Sequence, residues 1–195
     1  GLSLGIMQAL EESGLGEAVA LVGGDATTGE LLFDHPAVGA ASFTGSVAIG
    51  QAIVRRCQHR QIPVQAELGG NNAAIVLGDV DVGAVAGDLA PAMFSFSGQR
   101  CTAIRRLIVD HRIAPRLKDA IRQAIAALHA GLPAREETQI GPVISRGKQR
   151  SLLDVVALAR AEGGELLAGG GVPRDCPKAG CWVEPTLLGF TDHSS

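Results

Sequence analysis

The stretch Val38-Gly39-Ala40-Ala41-Ser42-Phe43, then Thr44-Gly45-Ser46, then Val47 through Arg60, decides the fold. Its opening residues are apolar or small and read as a strand. The glycine-containing triplet turns the chain. The segment that follows carries Ile49, Ile53, Val54 and Cys57 at spacings of three and four, which places them on one face of a helix. Strand, glycine turn and helix make half of a βαβ unit. Recurrence of that rhythm implies a parallel sheet with crossover helices.

Upstream, Leu2 to Ser13 reads as a helix closed by Gly14, Ala18 to Val22 as a buried strand, and Thr27 with Glu30 as a capping box for a short helix ending before Pro36. Downstream, Ala73 to Leu77 is a continuous apolar run of the kind that fills a sheet covered on both faces. Asp81 caps a helix reaching about Phe96, which Pro91 should kink or split. Leu107 to Val109 reads as a strand. Ile113, Leu117, Ile121, Ile125 and Leu128 form the apolar stripe of a helix, and Lys148 to Glu162 is another, leading to a strand at Glu165 to Ala168. Gly169 to Gly180 is a surface loop, and Trp182 to Leu188 a last strand interrupted by Pro185. The class is α/β, with a Rossmann-like parallel sheet in the first third. The paired glycines Gly69-Gly70 mark the boundary between a domain at 1–69 and one at 70–195.

Among 195 residues, 46% are hydrophobic and 26 are glycine, with 3% aromatic and no tyrosine, which describes a core of Ala, Val, Leu and Ile joined by tight turns. A net charge of −3 and a pI near 5.9 give no basic footprint for nucleic acid. No apolar run approaches the roughly 18 residues of a membrane span, and no signal peptide is read, so a cytoplasmic protein without a membrane partner is expected. Cys57, Cys101, Cys176 and Cys181 contain no Cys-x-x-Cys pair. Reduced thiols and no metal site follow from that spacing.

Cys101 stands in Phe96-Ser97-Gly98-Gln99-Arg100-Cys101-Thr102, and Glu67 heads Glu67-Leu68-Gly69-Gly70. A thiol nucleophile needs an open approach, which Gly98 and the Thr102-Ala103 turn suit. An exposed helix start at Cys101 is expected. Glu67, flanked by Ala66 and Leu68, reads as a partly desolvated carboxylate near a strand end, suited to act as a base. A buried structural thiol and an ordinary surface glutamate are the competing readings. Gly45 and Ser46 lie where a strand passes into a helix, where free amides favour phosphate; a plain N-cap serine is the alternative. The five histidines, His35, His59, His111, His129 and His193, show no pairing with Cys101 in the sequence.

Together with Phe43-Thr44-Gly45-Ser46, Ile140-Gly141-Pro142-Val143-Ile144 and Val183-Glu184-Pro185-Thr186, the two runs resemble, in order, the NAD(P)-dependent aldehyde dehydrogenase superfamily. The resemblance implies a cofactor-domain portion followed by an α/β catalytic-domain portion, with NAD or NADP as cofactor. It implies that the Cys101 thiolate attacks an aldehyde, that hydride passes to the nicotinamide, and that Glu67 activates the water that hydrolyses the thioester. Phe43, Gly45, Ser46, Leu68 and Gly69 become cofactor contacts, with Gly29 nearer the adenosine side. A homo-oligomer acting on a small-molecule aldehyde is implied. Small semialdehydes or glyceraldehyde 3-phosphate are the candidate substrates, and Arg100 and Arg105 would favour an anion.

Asn71 and Asn72 depart from the lysine that many relatives carry after the paired glycines. Family members are about twice this length or more, so the chain reads as an internal piece of such an enzyme. A catalytically incomplete interaction module, and a cysteine hydrolase or acyltransferase, are the alternatives.

Overall fold

The computed structural model describes residues 2–177 and 179–190. The chain divides into two compact units, Gly1–Gly69 and Gly70–Ser195.

In the first unit, α1 (Leu2–Glu12) ends at Gly14, whose φ of +79° is the left-handed closure expected of glycine. Helix α2 (Ala26–Asp34) is capped by Asp25, whose carboxylate accepts from the amides of Thr27 and Thr28. The capping box placed at Thr27 is therefore corrected: a stronger acceptor two residues earlier takes the role. Ala18 to Val22 forms no strand, because no described strand lies beside it to complete a hydrogen-bonded ladder. Strand β1 (Ala41–Gly45), α3 (Val47–His59) and β2 (Val64–Leu68) form the expected unit, with β1 and β2 parallel and Thr44 opposite Glu67. Helix α3 buries Gly50, Ile53 and Cys57. At Gly50 a Cβ would lie 2.2 Å from Leu68 Cδ2, so helix and strand meet there only because the side chain is absent.

In the second unit, β3 (Asn72–Val76) pairs in parallel with β4 (Ile104–Val109). Between them run α4 (Val82–Phe94), capped by Asp81, and a 3₁₀ turn over Ser95–Gly98. Pro91 does not split α4, contrary to expectation. It lies in the last turn, and the helix ends at Phe94. Helix α5 (Ala114–Ala126) follows, started by a turn in which Asp110 accepts from the backbone and guanidinium of Arg112, which holds the Asp110 carboxyl well below the usual carboxylate range. Leu117, Ile121 and Ile125 of α5 are buried with Val82, Ala86, Leu89 and Met93 of α4 against Val76, making the core. Helix α6 (Arg146–Ala161) leads to β5 (Glu165–Ala168), which pairs antiparallel with β6 (Leu187–Gly189). The strand expected from Trp182 is reduced to its last residues, since Trp182 is instead buried in the loop, its indole N–H donating to the Pro177 carbonyl. Among the described residues, no helix is long and apolar enough to cross a membrane.

Candidate active site

Ladder register between β3 and β4 slips at its first step: Asn72 faces Ile104, but Ala73 faces Arg106. Arg105 is the extra residue of a β-bulge, a device that bends a strand and re-aims a side chain. Its guanidinium reaches back to the Gly98 carbonyl at 2.6 Å. The segment it holds is bent, since Phe96, Ser97 and Gly98 all have positive φ, of 55°, 57° and 67°. Such a conformation is costly for the first two residues and persists only where neighbours enforce it.

The neighbours are identifiable. Ser97 Oγ donates to the Gly141 carbonyl at 2.7 Å, and Gln99 Oε1 accepts from the Ile144 amide at 3.0 Å. Two bonds thus tie the 95–99 bend to the 140–144 segment, which is held in turn by the Val143 amide donating to the Cys181 carbonyl. Arg100 stacks over the Phe96 ring at 5.3 Å and donates to Ser95 Oγ.

Cys101 follows in a turn and is exposed. The expected helix start is corrected: the turn at Cys101-Thr102 opens directly into β4, and no helix begins there. Asn72 Nδ2 donates to the Cys101 carbonyl at 2.6 Å and to the Ala103 carbonyl at 3.2 Å. The backbone of Gly70 comes close to the same turn, for a Cβ there would lie 3.5 Å from the Cys101 carbonyl oxygen. Of the other cysteines, Cys57 is buried on α3, while Cys176 and Cys181 are half-buried and unbridged. Burial, followed by the nearby Asp175 carboxylate, pushes the Cys176 thiol pKa up.

Glu67 lies in β2, one residue before its end, in the first unit. Its side chain is on the exposed face, where its carboxylate accepts from Gln65 Nε2 at 3.4 Å. Partial desolvation was expected and is not found in this unit, because alternate residues of β2 face outward. Phe43 and Gly45 occupy β1, and the Phe43 ring end would stand 2.5 Å from any Cβ at Gly45. Ser46 caps α3, its Oγ accepting from the Ile49 amide at 3.4 Å. Leu68 packs on Gly50, Gly69 follows the strand, and Gly29 lies within α2. Beside the Ser46 cap, the first turn of α3 carries no acidic residue, so the donor set there suits a phosphate. Among the described residues, no cluster of side chains is able to hold a metal. His193 lies outside the described residues.

The structure shows roles that the sequence did not signal. Asn71 and Asn72 were read as a departure that keeps hydrogen-bonding capacity without a lysine's charge, with no partner assigned, and the 140–144 segment only as a motif in order. Asn72 proves to be a brace of the Cys101 turn, and the 140–144 segment a brace of the 95–99 bend before it. Arg105, weighed as an anion contact, is engaged with Gly98.

The sequence model of the Aldehyde dehydrogenase family matches residues 2–195. The chain is 39% identical over 174 residues to a 2-aminomuconic 6-semialdehyde dehydrogenase of a Pseudomonas species, covering 88% of this chain and 35% of that protein. It is 32% identical to a betaine aldehyde dehydrogenase of Agrobacterium fabrum, covering 95% of this chain and 38% of that one. An aldehyde dehydrogenase of Mycobacterium tuberculosis, solved in complex with NAD+, superposes with a TM-score of 0.83 at 31% identity, over 87% of this chain and 35% of that structure. The chain therefore spans somewhat more than a third of the length of the curated relatives it matches. With its α/β units and parallel ladders, it belongs to the aldehyde dehydrogenase family.

Proposed function

We propose that the chain carries the thiol nucleophile and part of the cofactor site of an NAD(P)-dependent aldehyde dehydrogenase. The observation that supports this most directly is an exposed Cys101 in a turn braced by side chains from β3 and β4 and followed in sequence by a structured 140–144 segment. An ordinary surface cysteine needs no such bracing.

Cys101 Sγ, as thiolate, forms the bond to the aldehyde carbon, and the Cys101 backbone amide donates to the developing oxyanion. When bound, the nicotinamide supplies the hydride acceptor that the oxidation requires. Cys101 then carries the acyl group as a thioester. Glu67 takes a proton from the water that attacks it, releasing a carboxylic acid and restoring the thiolate. The amides at the start of α3, with Gly45 and the Ser46 cap, would hold the cofactor pyrophosphate, and Phe43 would support the turn. Leu68 and Gly69 border the same site, with Gly29 toward the adenosine. The protein named as a 2-aminomuconic 6-semialdehyde dehydrogenase directs attention to small, anionic semialdehydes as substrates. A cytoplasmic homo-oligomer is the expected setting.

The test is iodoacetamide labelling near neutral pH, resolved by peptide mass spectrometry. Exposure alone places Cys101 ahead of buried Cys57 and of Cys176, so the decisive reference is N-acetylcysteine at the same pH. Labelling of Cys101 about tenfold faster than that reference is expected of an activated thiol. A rate equal to it removes Cys101 from the nucleophile's role.

A further inference from the structure

Asn72 has two side-chain N–H bonds, and both are used on one short turn. One goes to the Cys101 carbonyl at 2.6 Å, the other to the Ala103 carbonyl at 3.2 Å. The same turn is closed from within by the Ala103 amide donating to the Arg100 carbonyl at 3.2 Å. Among the described residues, no other side chain bonds to either carbonyl.

Asn72 is itself fixed. It is the first residue of β3, its ladder partner is Ile104, and a Cβ on Gly70 would meet its Oδ1 at 3.1 Å. The residue therefore joins a rigid strand to the peptide group that immediately follows the thiol-bearing carbon. Because the carbonyl of Cys101 and that of Ala103 are both anchored, neither peptide plane of the turn can rotate without breaking a bond to β3.

We propose that Asn72 is a positioning residue for Cys101, its side-chain amide holding the turn in the conformation that presents the thiol to substrate. The proposal rests on Cys101 being the nucleophile. A thiol on an unbraced exposed turn samples many orientations, and a misplacement of about 1 Å at a reacting group costs on the order of 100-fold in rate. Arg105 and Gln99 restrain the chain before Cys101, whereas Asn72 restrains Cys101 itself and the chain beyond it.

The experiment compares the chain with Asn72→Leu, a replacement of similar size without donors. Cys101 labelling by iodoacetamide is followed across pH, together with backbone amide exchange at Ala103 and Asp110. The expected result is a loss of about tenfold in the Cys101 rate, to near the N-acetylcysteine value. Loss of two hydrogen bonds accounts for a change of that size. Exchange at Ala103 accelerates, while exchange at Asp110, whose amide bonds to Val76, stays as in the parent chain, and buried Cys57 stays unlabelled.

An activated Cys101 in the parent chain with unchanged labelling in the variant overturns the positioning role alone. A parent Cys101 no faster than N-acetylcysteine overturns the proposed function, and the positioning role with it. Where exchange at Asp110 also accelerates, showing that the second unit has lost its fold, NMR of the parent chain decides. Side-chain amide protons of Asn72 exchanging at least about tenfold more slowly than those of Asn71 support the brace, and equal rates overturn it.

Discussion

Glu67 and Cys101 present different chemistry to solvent. The thiol stands on a braced turn, whereas the carboxylate stands on a plain strand face with Gln65 as its hydrogen-bond donor. A base placed on a regular strand is held in direction by its backbone alone. Its proposed work, proton removal from the hydrolytic water, is worth roughly 10²–10⁴-fold. In an aldehyde-oxidising enzyme containing this chain, Glu67→Gln is expected to leave the first turnover of NAD(P)H intact and to slow the steady state by at least about 100-fold. A stopped-flow trace with no burst, or an unchanged steady state, would exclude the assignment. Cys101 was legible in the sequence because Gly98 and its neighbours carry a motif. Asn72 was not, since a hydrogen bond from the start of one strand to the carbonyl before another depends on register, and register is a pairwise property.

At the scale of the element, the turn between β1 and α3 joins the fold to the cofactor reading. Ser46 caps α3 and at the same time lies where a phosphate would meet the helix amides. Ser46→Ala is expected to lower the stability of the first unit by about 1 kcal/mol, the usual cost of losing such a cap, measured from the urea midpoint. A loss far below that would show the 3.4 Å bond to Ile49 to be without weight. Elements with an internal period were read well: α3 and α5 show their faces in sequence, and the buried Leu117, Ile121 and Ile125 are among the stripe residues expected of α5. The strands read at 73–77, 107–109 and 165–168 formed as well, but two segments that depend on a neighbour were misread. Ala18 to Val22 has the composition of a strand but no described partner, and Trp182 has the company of a strand but spends its indole on a loop carbonyl. Apolar composition alone does not say whether another chain segment will lie alongside.

For the molecule as a whole, the apolar surface is the dominant fact. Helix α1 buries none of its residues, and Leu2 and Leu4 are 84% and 65% exposed; in the second unit Ile75 is 70% and Ile144 87% exposed. Large exposed apolar side chains on this scale favour association. Sedimentation velocity is expected to show a weight-average coefficient that rises with protein concentration. A value constant over a hundredfold range would mean that these side chains are accommodated in the isolated chain. The division between the two compact units falls at the paired glycines Gly69-Gly70.

The bulge at Arg105 has a consequence for how this region tolerates change in length. Ile104 and Leu107 are three residues apart, yet both pack against the same core. In an unbroken strand, residues an odd number apart face opposite sides. The extra residue repairs that parity. Deleting Arg105 would not merely remove a guanidinium from the Gly98 carbonyl. It would also straighten the strand, since Ile104 and Leu107 would then stand two apart and face the same core without a bulge. A residue added between Ile104 and Leu107, by contrast, would break that parity and turn one of the two away from the core, so the strand tolerates a shorter path from thiol to core better than a longer one.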